Sequence, residues 1–220
     1  MATVAQVMLD APRRIGPRSS GLSMTPAEFA RIRVAERHKF HRFELIRGVL
    51  IVTPPPGNAE IDPNQELGYL LLLHRDNHPD GHRLDLTLNE QTLFVGENRR
   101  RCDRALWIGL GQAPDTEADF PAIIVEFVCG SRRDARRDYV EKRGEYLAAG
   151  VLEYWIVDRF RRIMTVDRRD AIDPIIVPAD GMYRTDLLPG FDLPLARLLA
   201  RADLWPAKTR PRRPPAAGDA

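Results

Sequence analysis

The chain has 220 residues, 44% of them hydrophobic and 29% charged, with a formal net charge of +2. That is long enough to bury a core unaided and ordinary for one globular domain. Cys102 and Cys129, the two cysteines, are too few for a disulfide scaffold or a tetrahedral zinc site. No run approaches the roughly 20 apolar residues of a membrane span. The N-terminal stretch, with Pro12, Arg13, Arg14, Pro17 and Arg18, lacks the apolar core of a secretory signal. The expectation is therefore a cytoplasmic protein with no membrane partner. The small net charge neither demands nor excludes nucleic acid, but the arginines cluster: Arg99, Arg100, Arg101 and Arg104 in one place, Arg132, Arg133, Arg136 and Arg137 in another. Such runs serve as solvated faces or as phosphate contacts.

Composition predicts disordered tails at residues 1–22 and 206–220, the second rich in proline and arginine, around one domain at 23–205. Thr25, followed by Pro26 and by Glu28 three residues on, predicts a helix running to about Glu36. Arg42–Ile46 and Val49–Thr53 flank Arg47-Gly48 and read as a β-hairpin. Leu67, Leu70, Leu71 and His74 recur at helical spacing within Asn64–His74. Strands are expected around Arg83–Leu88, Gln91–Val95 and Cys102–Ile108, with the basic stretch before Asp103 read as a turn. Ile123-Ile-Val-Glu-Phe-Val128 is a β-branched and aromatic run of the kind buried on both faces. A helix from about Arg133 to Ala149, closed by Gly150, leads to a second buried strand, Glu153–Asp158, so the two strands and the helix form a parallel βαβ unit. A small β extension (162–166, 175–177, 182–184) and a terminal helix near Leu195–Ala202 complete an α/β fold.

Glu126 is the most informative residue. It interrupts an apolar strand on the face of Ile124 and Val128, where a carboxylate needs a cation or a shifted pKa. Asp103 opens the strand Ala105–Ile108, before the Glu126 strand in the chain and after the basic stretch; alone, it reads as a turn residue. Lys142 lies four residues after Asp138 along the margin of a helical stripe made by Tyr139, Val140, Tyr146 and Leu147, and alone reads as half of a surface pair. Taken together, acids from adjacent strands can hold a divalent cation through hard oxygens, the Phe127 carbonyl can complete the sphere, and a nearby ammonium can stabilise transition-state charge. Phosphodiester hydrolysis uses that trio. Trp107, Tyr154 and Trp155 lie inside strand-like runs and read as core. The five histidines have no ligand spacing, and the two cysteines, each beside a candidate ligand, read as buried thiols facing one another.

These residues resemble the Uma-type restriction endonuclease family of the PD-(D/E)XK nuclease superfamily. The matching stretches are Phe43-Glu-Leu-Ile-Arg-Gly48, Cys102-Asp-Arg104, Ile124-Val-Glu-Phe-Val128, and Arg137 to Val151 running into Glu153–Asp158, within residues 24–200. The resemblance implies a restriction-endonuclease-like α/β core with a central mixed β-sheet flanked by helices, Asp103 and Glu126 as metal ligands, and Mg²⁺ or Mn²⁺ as cofactor. It implies Lys142 as the lysine, carried on the helix rather than two residues after the acid. Glu44 is the implied extra acidic residue, with Asp138 orienting Lys142. The implied activity is a divalent-metal-dependent endonuclease hydrolysing DNA phosphodiester bonds. Three positions depart from the family pattern: Cys102 replaces a proline, Cys129-Gly-Ser131 replaces a Ser-Pro-Ser-like turn, and Pro63-Asn-Gln-Glu66 lacks a histidine. A catalytically inactive nucleic-acid- or protein-binding descendant of the same fold is the alternative, and a purely structural protein whose acids pair with arginines is the third. A homodimer is compatible with cutting both strands of a duplex, but no residue pattern specifies it.

Overall fold

The computed structural model describes residues 14–128 and 137–205. Residues 14–22, expected within a tail, carry β1 (Arg14–Ile15) and a 3₁₀ turn, and Ile15 is buried. The expected disorder of 1–13 and 206–220 lies outside the described residues, as do Cys129, Arg132, Arg133 and Arg136. Thr25 caps α1 (Pro26–Ala30) as the sequence predicts. It accepts from the Glu28 amide at 3.2 Å, and the Glu28 carboxylate accepts from the Thr25 amide at 2.7 Å. The helix stops at Ala30, short of Glu36. Ile32 and Val34 are two apart, a strand spacing, and pack with Ile15, Leu45 and Leu50 as β2 (Arg33–Val34) pairs with β1.

β3 (Arg42–Ile46) and β4 (Val49–Thr53) form the expected hairpin. Arg47 and Gly48, at φ 50° and 75°, both take the left-handed conformation of a two-residue turn, which Gly48 adopts without strain. α2 (Asn58–Asn77) starts six residues earlier than the leucine pattern indicates and runs through Pro63, which removes one backbone donor without ending the helix. β5 (Leu84–Asn89), β6 (Thr92–Val95), β7 (Asn98–Arg101), β8 (Arg104–Ile108) and β9 (Ile123–Phe127) follow. A π-helical turn at Arg137–Lys142 enters α3 (Arg143–Ala149), which ends at Gly150 with φ 114°. Then come β10 (Glu153–Asp158), β11 (Ile163–Arg168), β12 (Ile175–Pro178), β13 (Met182–Arg184), β14 (Asp192–Pro194) and α4 (Leu195–Asp203).

The central sheet runs β12-β11-β10-β9-β8-β5. β9 and β10 are parallel, as the βαβ reading requires, and every other pairing is antiparallel. Leu67 and Leu71 of α2 and Leu198 and Leu199 of α4 cover one face, over Leu106, Val125, Phe127 and Val157. Tyr146 of α3 covers the other with Trp107, Ile124, Tyr154 and Ile156. Trp107, Tyr154 and Trp155 are fully buried core residues.

A second sheet, β4-β3-β7-β6, leans on the α3 side. Its strand β7 is the stretch expected as a turn, because arginines ordinarily mark surface. Arg100 is 0% exposed, and its guanidinium makes two 2.7 Å bonds to Glu145 on α3. Glu145→Gln strands that charge, so the fold should lose about 3–5 kcal/mol at neutral pH. Burial pushes the Glu145 carboxyl up, but its bonds to Arg100 hold it below its ordinary value. A depressed folded pKa contributes stability above the unfolded pKa and loses it as pH falls through the folded one. Urea unfolding of parent and variant should therefore converge as pH drops below about 4; a gap unchanged in acid rejects the assignment.

Candidate active site

The register of β8 on β9 pairs Arg104 with Val125, so the next step sets Asp103 opposite Glu126. Where β8 gives out, the Asp103 side chain continues the ladder: Oδ2 accepts from the Phe127 amide at 2.6 Å. Oδ1 accepts from Nη2 of Arg42. The Asp103 carbonyl accepts from Asn64 Nδ2 at 2.8 Å and from the Glu90 amide at 2.9 Å. Asp103 is thus fixed from four directions.

Glu126 is 2% exposed on the face of Ile124 and Val128. Lys142, 1% exposed, donates from Nζ to Glu126 Oε1 at 2.8 Å and to the Arg101 carbonyl at 3.0 Å, with Asp138 Oδ1 at 3.5 Å. Asp138 and Lys142 are therefore inside the protein, not along a helix margin. Val140, placed by the sequence in the apolar stripe, is 62% exposed. The π-helical turn explains both differences: its wider i→i+5 winding breaks the 100° phase on which the stripe was drawn. Tyr154 pins this turn by donating to the Asp138 carbonyl at 3.1 Å.

Burial raises the Glu126 carboxyl well above its usual range; Lys142 pulls it back, while Asp103 and Asp138 push it further up. Burial, then Glu126, likewise raises the Cys102 thiol, which stays protonated. Whether Cys102 faces Cys129 lies outside the described residues. Glu44 is buried, and its Oε1 accepts from the Arg101 amide at 3.0 Å. Glu44 and Lys142 therefore hold the amide and the carbonyl of one residue.

Sequence reasoning missed Arg42, Asn64, Glu90 and Arg101. Nε of Arg42 donates to Glu90 at 2.9 Å and Nη2 bridges Glu90 to Asp103; Nε of Arg101 reaches the same Glu90 at 3.0 Å. Glu90 sits at φ 53°, a left-handed conformation uncommon for glutamate. Burial opposes the Arg42 charge, yet Asp103, Glu90 and Glu126 hold its pKa above the ordinary value. The available signal was alternation: Arg42 is two residues from Glu44 on β3 and shares its face.

Two of the four arginines around Asp103, Arg100 and Arg104, are buried in internal contacts rather than presented to a phosphate. Arg100 is buried on Glu145. Arg104 is buried against α2, bonding Asn64 Oδ1 at 2.7 Å and the Asn64 carbonyl at 2.9 Å, and burial lowers its pKa to about 10. Gly68 makes room for it, since a Cβ there would lie 2.6 Å from the guanidinium. Arg99 stacks on Phe94, 4.4 Å from the ring centre.

Among the described residues, no group of three or more His, Cys, Asp or Glu side chains is arranged to hold a metal ion. The pair Asp103 and Glu126, opposite one another at the end of the β8–β9 ladder, is a hard-oxygen set of the size Mg²⁺ uses when it keeps several waters. Arg42 already stands against Asp103 Oδ1, so a cation there displaces or shares with it. No helix among the described residues is long and apolar enough to cross a membrane.

A solved structure with the same fold is a putative nuclease belonging to DUF820 from Anabaena variabilis ATCC 29413, at TM-score 0.64 and 15% identity, covering 81% of this chain and 99% of that one. No curated protein matches the chain. The family model Uma2, described as "Putative restriction endonuclease", matches residues 26–196, a span that takes in both large sheets and every residue of the site. The chain belongs to that family.

Proposed function

We propose that this protein is a divalent-metal-dependent endonuclease that hydrolyses DNA phosphodiester bonds at Asp103, Glu126 and Lys142, with Glu44 in support. The observation that carries the reading is the buried Glu126–Lys142 contact of 2.8 Å beside Asp103. Mg²⁺ or Mn²⁺ held by Asp103 and Glu126 would supply Lewis acidity and a bound water of lowered pKa. Lys142 fixes Glu126 Oε1 and puts a full positive charge in a dry site, where it acts more strongly than in water on developing negative charge. Glu44 works at one remove, holding the Arg101 peptide whose carbonyl orients Lys142. Asp138 is a positioning residue for the same ammonium. Plasmid cleavage with added Mg²⁺ or Mn²⁺ tests the reading; Asp103→Ala should abolish it, and folded variants of Asp103, Glu126 and Lys142 that cut like the parent reject it.

One observation favours the inactive, binding-only reading: Arg42 is bonded to Asp103 Oδ1, where a cation would bind. Arg42→Gln separates the two. It should lower the melting temperature, because Asp103 and Glu90 lose their shared cation, and added Mn²⁺ should raise that temperature more in the variant than in the parent. Equal Mn²⁺ shifts, with no heat on titrating Mg²⁺ or Mn²⁺ into the parent, support a protein that binds without cutting.

A further inference from the structure

A cavity of about 380 Å³ opens beside Asp103, and of the side chains that line it the mechanism uses Asp103 alone. Arg42, Asn89, Glu90, Arg101 and Asp103 line it together with Lys39 and Phe40. The volume lies within the range of small-ligand sites. Phe40 is 71% exposed, an aromatic ring held out of every core, with the Lys39 ammonium 5.4 Å from its centre. An exposed ring is the chemistry that stacks a nucleobase, and the ammonium beside it, paired with Glu36 at 2.8 Å, keeps that rim from being purely acidic.

The distribution of charge decides which part of a nucleotide enters. Glu60, Glu90 and Asp103 all line the cavity, so apart from the scissile phosphate, which a cation on Asp103 and Glu126 would shield, a phosphate inside meets acids. Glu90 is already paired with Arg42 and Arg101, which leaves an interior of matched charge suited to a neutral, hydrogen-bonding base. The phosphates flanking the scissile one then pass on the side of Lys39 and Phe40. A base stacked within a duplex cannot offer its face to Phe40; an unpaired or extruded base can.

We infer that this cavity is a base-binding subsite, with Phe40 as its stacking platform, and that the preferred substrate presents an unpaired nucleotide next to Asp103. The inference rests on the nuclease reading and supplies its substrate class: single-stranded DNA, or DNA with a flipped base. Phe40 touches the substrate and not the reacting phosphate, so it sets affinity and strand preference.

The experiment uses the full chain without added metal and a single-stranded DNA oligomer carrying 2-aminopurine, whose fluorescence is quenched on stacking. The parent should bind it more tightly than the matching duplex and quench the probe. Phe40→Ala should weaken single-strand binding about 5- to 150-fold and abolish the quench, while duplex binding stays as it was; Phe40→Trp should restore both. A parent that prefers duplex, or a Phe40→Ala variant that binds and quenches like the parent, overturns the inference. If Phe40→Ala cuts every DNA form at the parental rate, the subsite falls and the nuclease reading stands. Phe40-dependent binding in a protein that never cuts with Mg²⁺ or Mn²⁺ leaves the subsite and removes the reaction.

Discussion

Replacing Lys142 with methionine should cost the fold about 3–5 kcal/mol, the loss expected when one partner of a buried ion pair is removed. Methionine matches the length of the lysine stem, so packing against the sheet is largely kept and the loss reports charge. In the parent the ammonium serves Glu126, the Arg101 carbonyl and Asp138. Without it, two buried carboxylates face each other, and an acceptor on β7 loses its donor. Pairing the change with Glu126→Gln removes one of those charges, so Glu126→Gln/Lys142→Met should recover a large part of the stability, a coupling that a double-mutant cycle measures. Urea midpoints of the four proteins decide it. If the two losses simply add, the 2.8 Å contact has no energetic meaning, and Lys142 is a packing residue.

Glu126→Gln alone should leave a folded protein without cleavage. Glutamine keeps an oxygen for Lys142, and the Asp138 carboxylate 3.5 Å away still offsets the ammonium's charge, so the melting temperature should fall less than in Lys142→Met. The amide carries no charge and is a poor ligand for a hard cation. Groups that only support a metal ligand are worth about 10- to 100-fold in affinity or activity, so loss of a ligand should exceed about 100-fold. Calorimetric titration with Mn²⁺ separates causes: a parent that binds and a Glu126→Gln variant that does not place the defect in cation binding. Parental cleavage by a folded Glu126→Gln protein would leave the nuclease proposal without its central acid.

The sequence alone was enough to read the hairpin at Arg42–Thr53, the β9–α3–β10 unit, the terminal helix and the burial of Trp107, Tyr154 and Trp155. Each depends on local signals: a left-handed Arg-Gly turn, an unbroken β-branched run, a glycine that ends a helix. Glu126 also announced itself locally, because a carboxylate in an apolar strand conflicts with its surroundings. What the chain order could not reveal was pairing across distance. Arg42 and Asp103 are 61 positions apart, and Arg100 and Glu145 are 45 apart, yet each pair is bonded. Arginine runs read as surface because an isolated guanidinium is costly to bury; a carboxylate or carboxamide delivered from another element reverses that cost. The same holds for Lys142. Helical phase put it at a margin, and one π-helical turn, stabilised by contacts such as Tyr154 to Asp138, carried it inside. Local propensity and periodicity therefore determined which elements exist and which residue was chemically out of place. Only the tertiary structure decided which opposite charges meet, since that depends on how two sheets and a helix close around them.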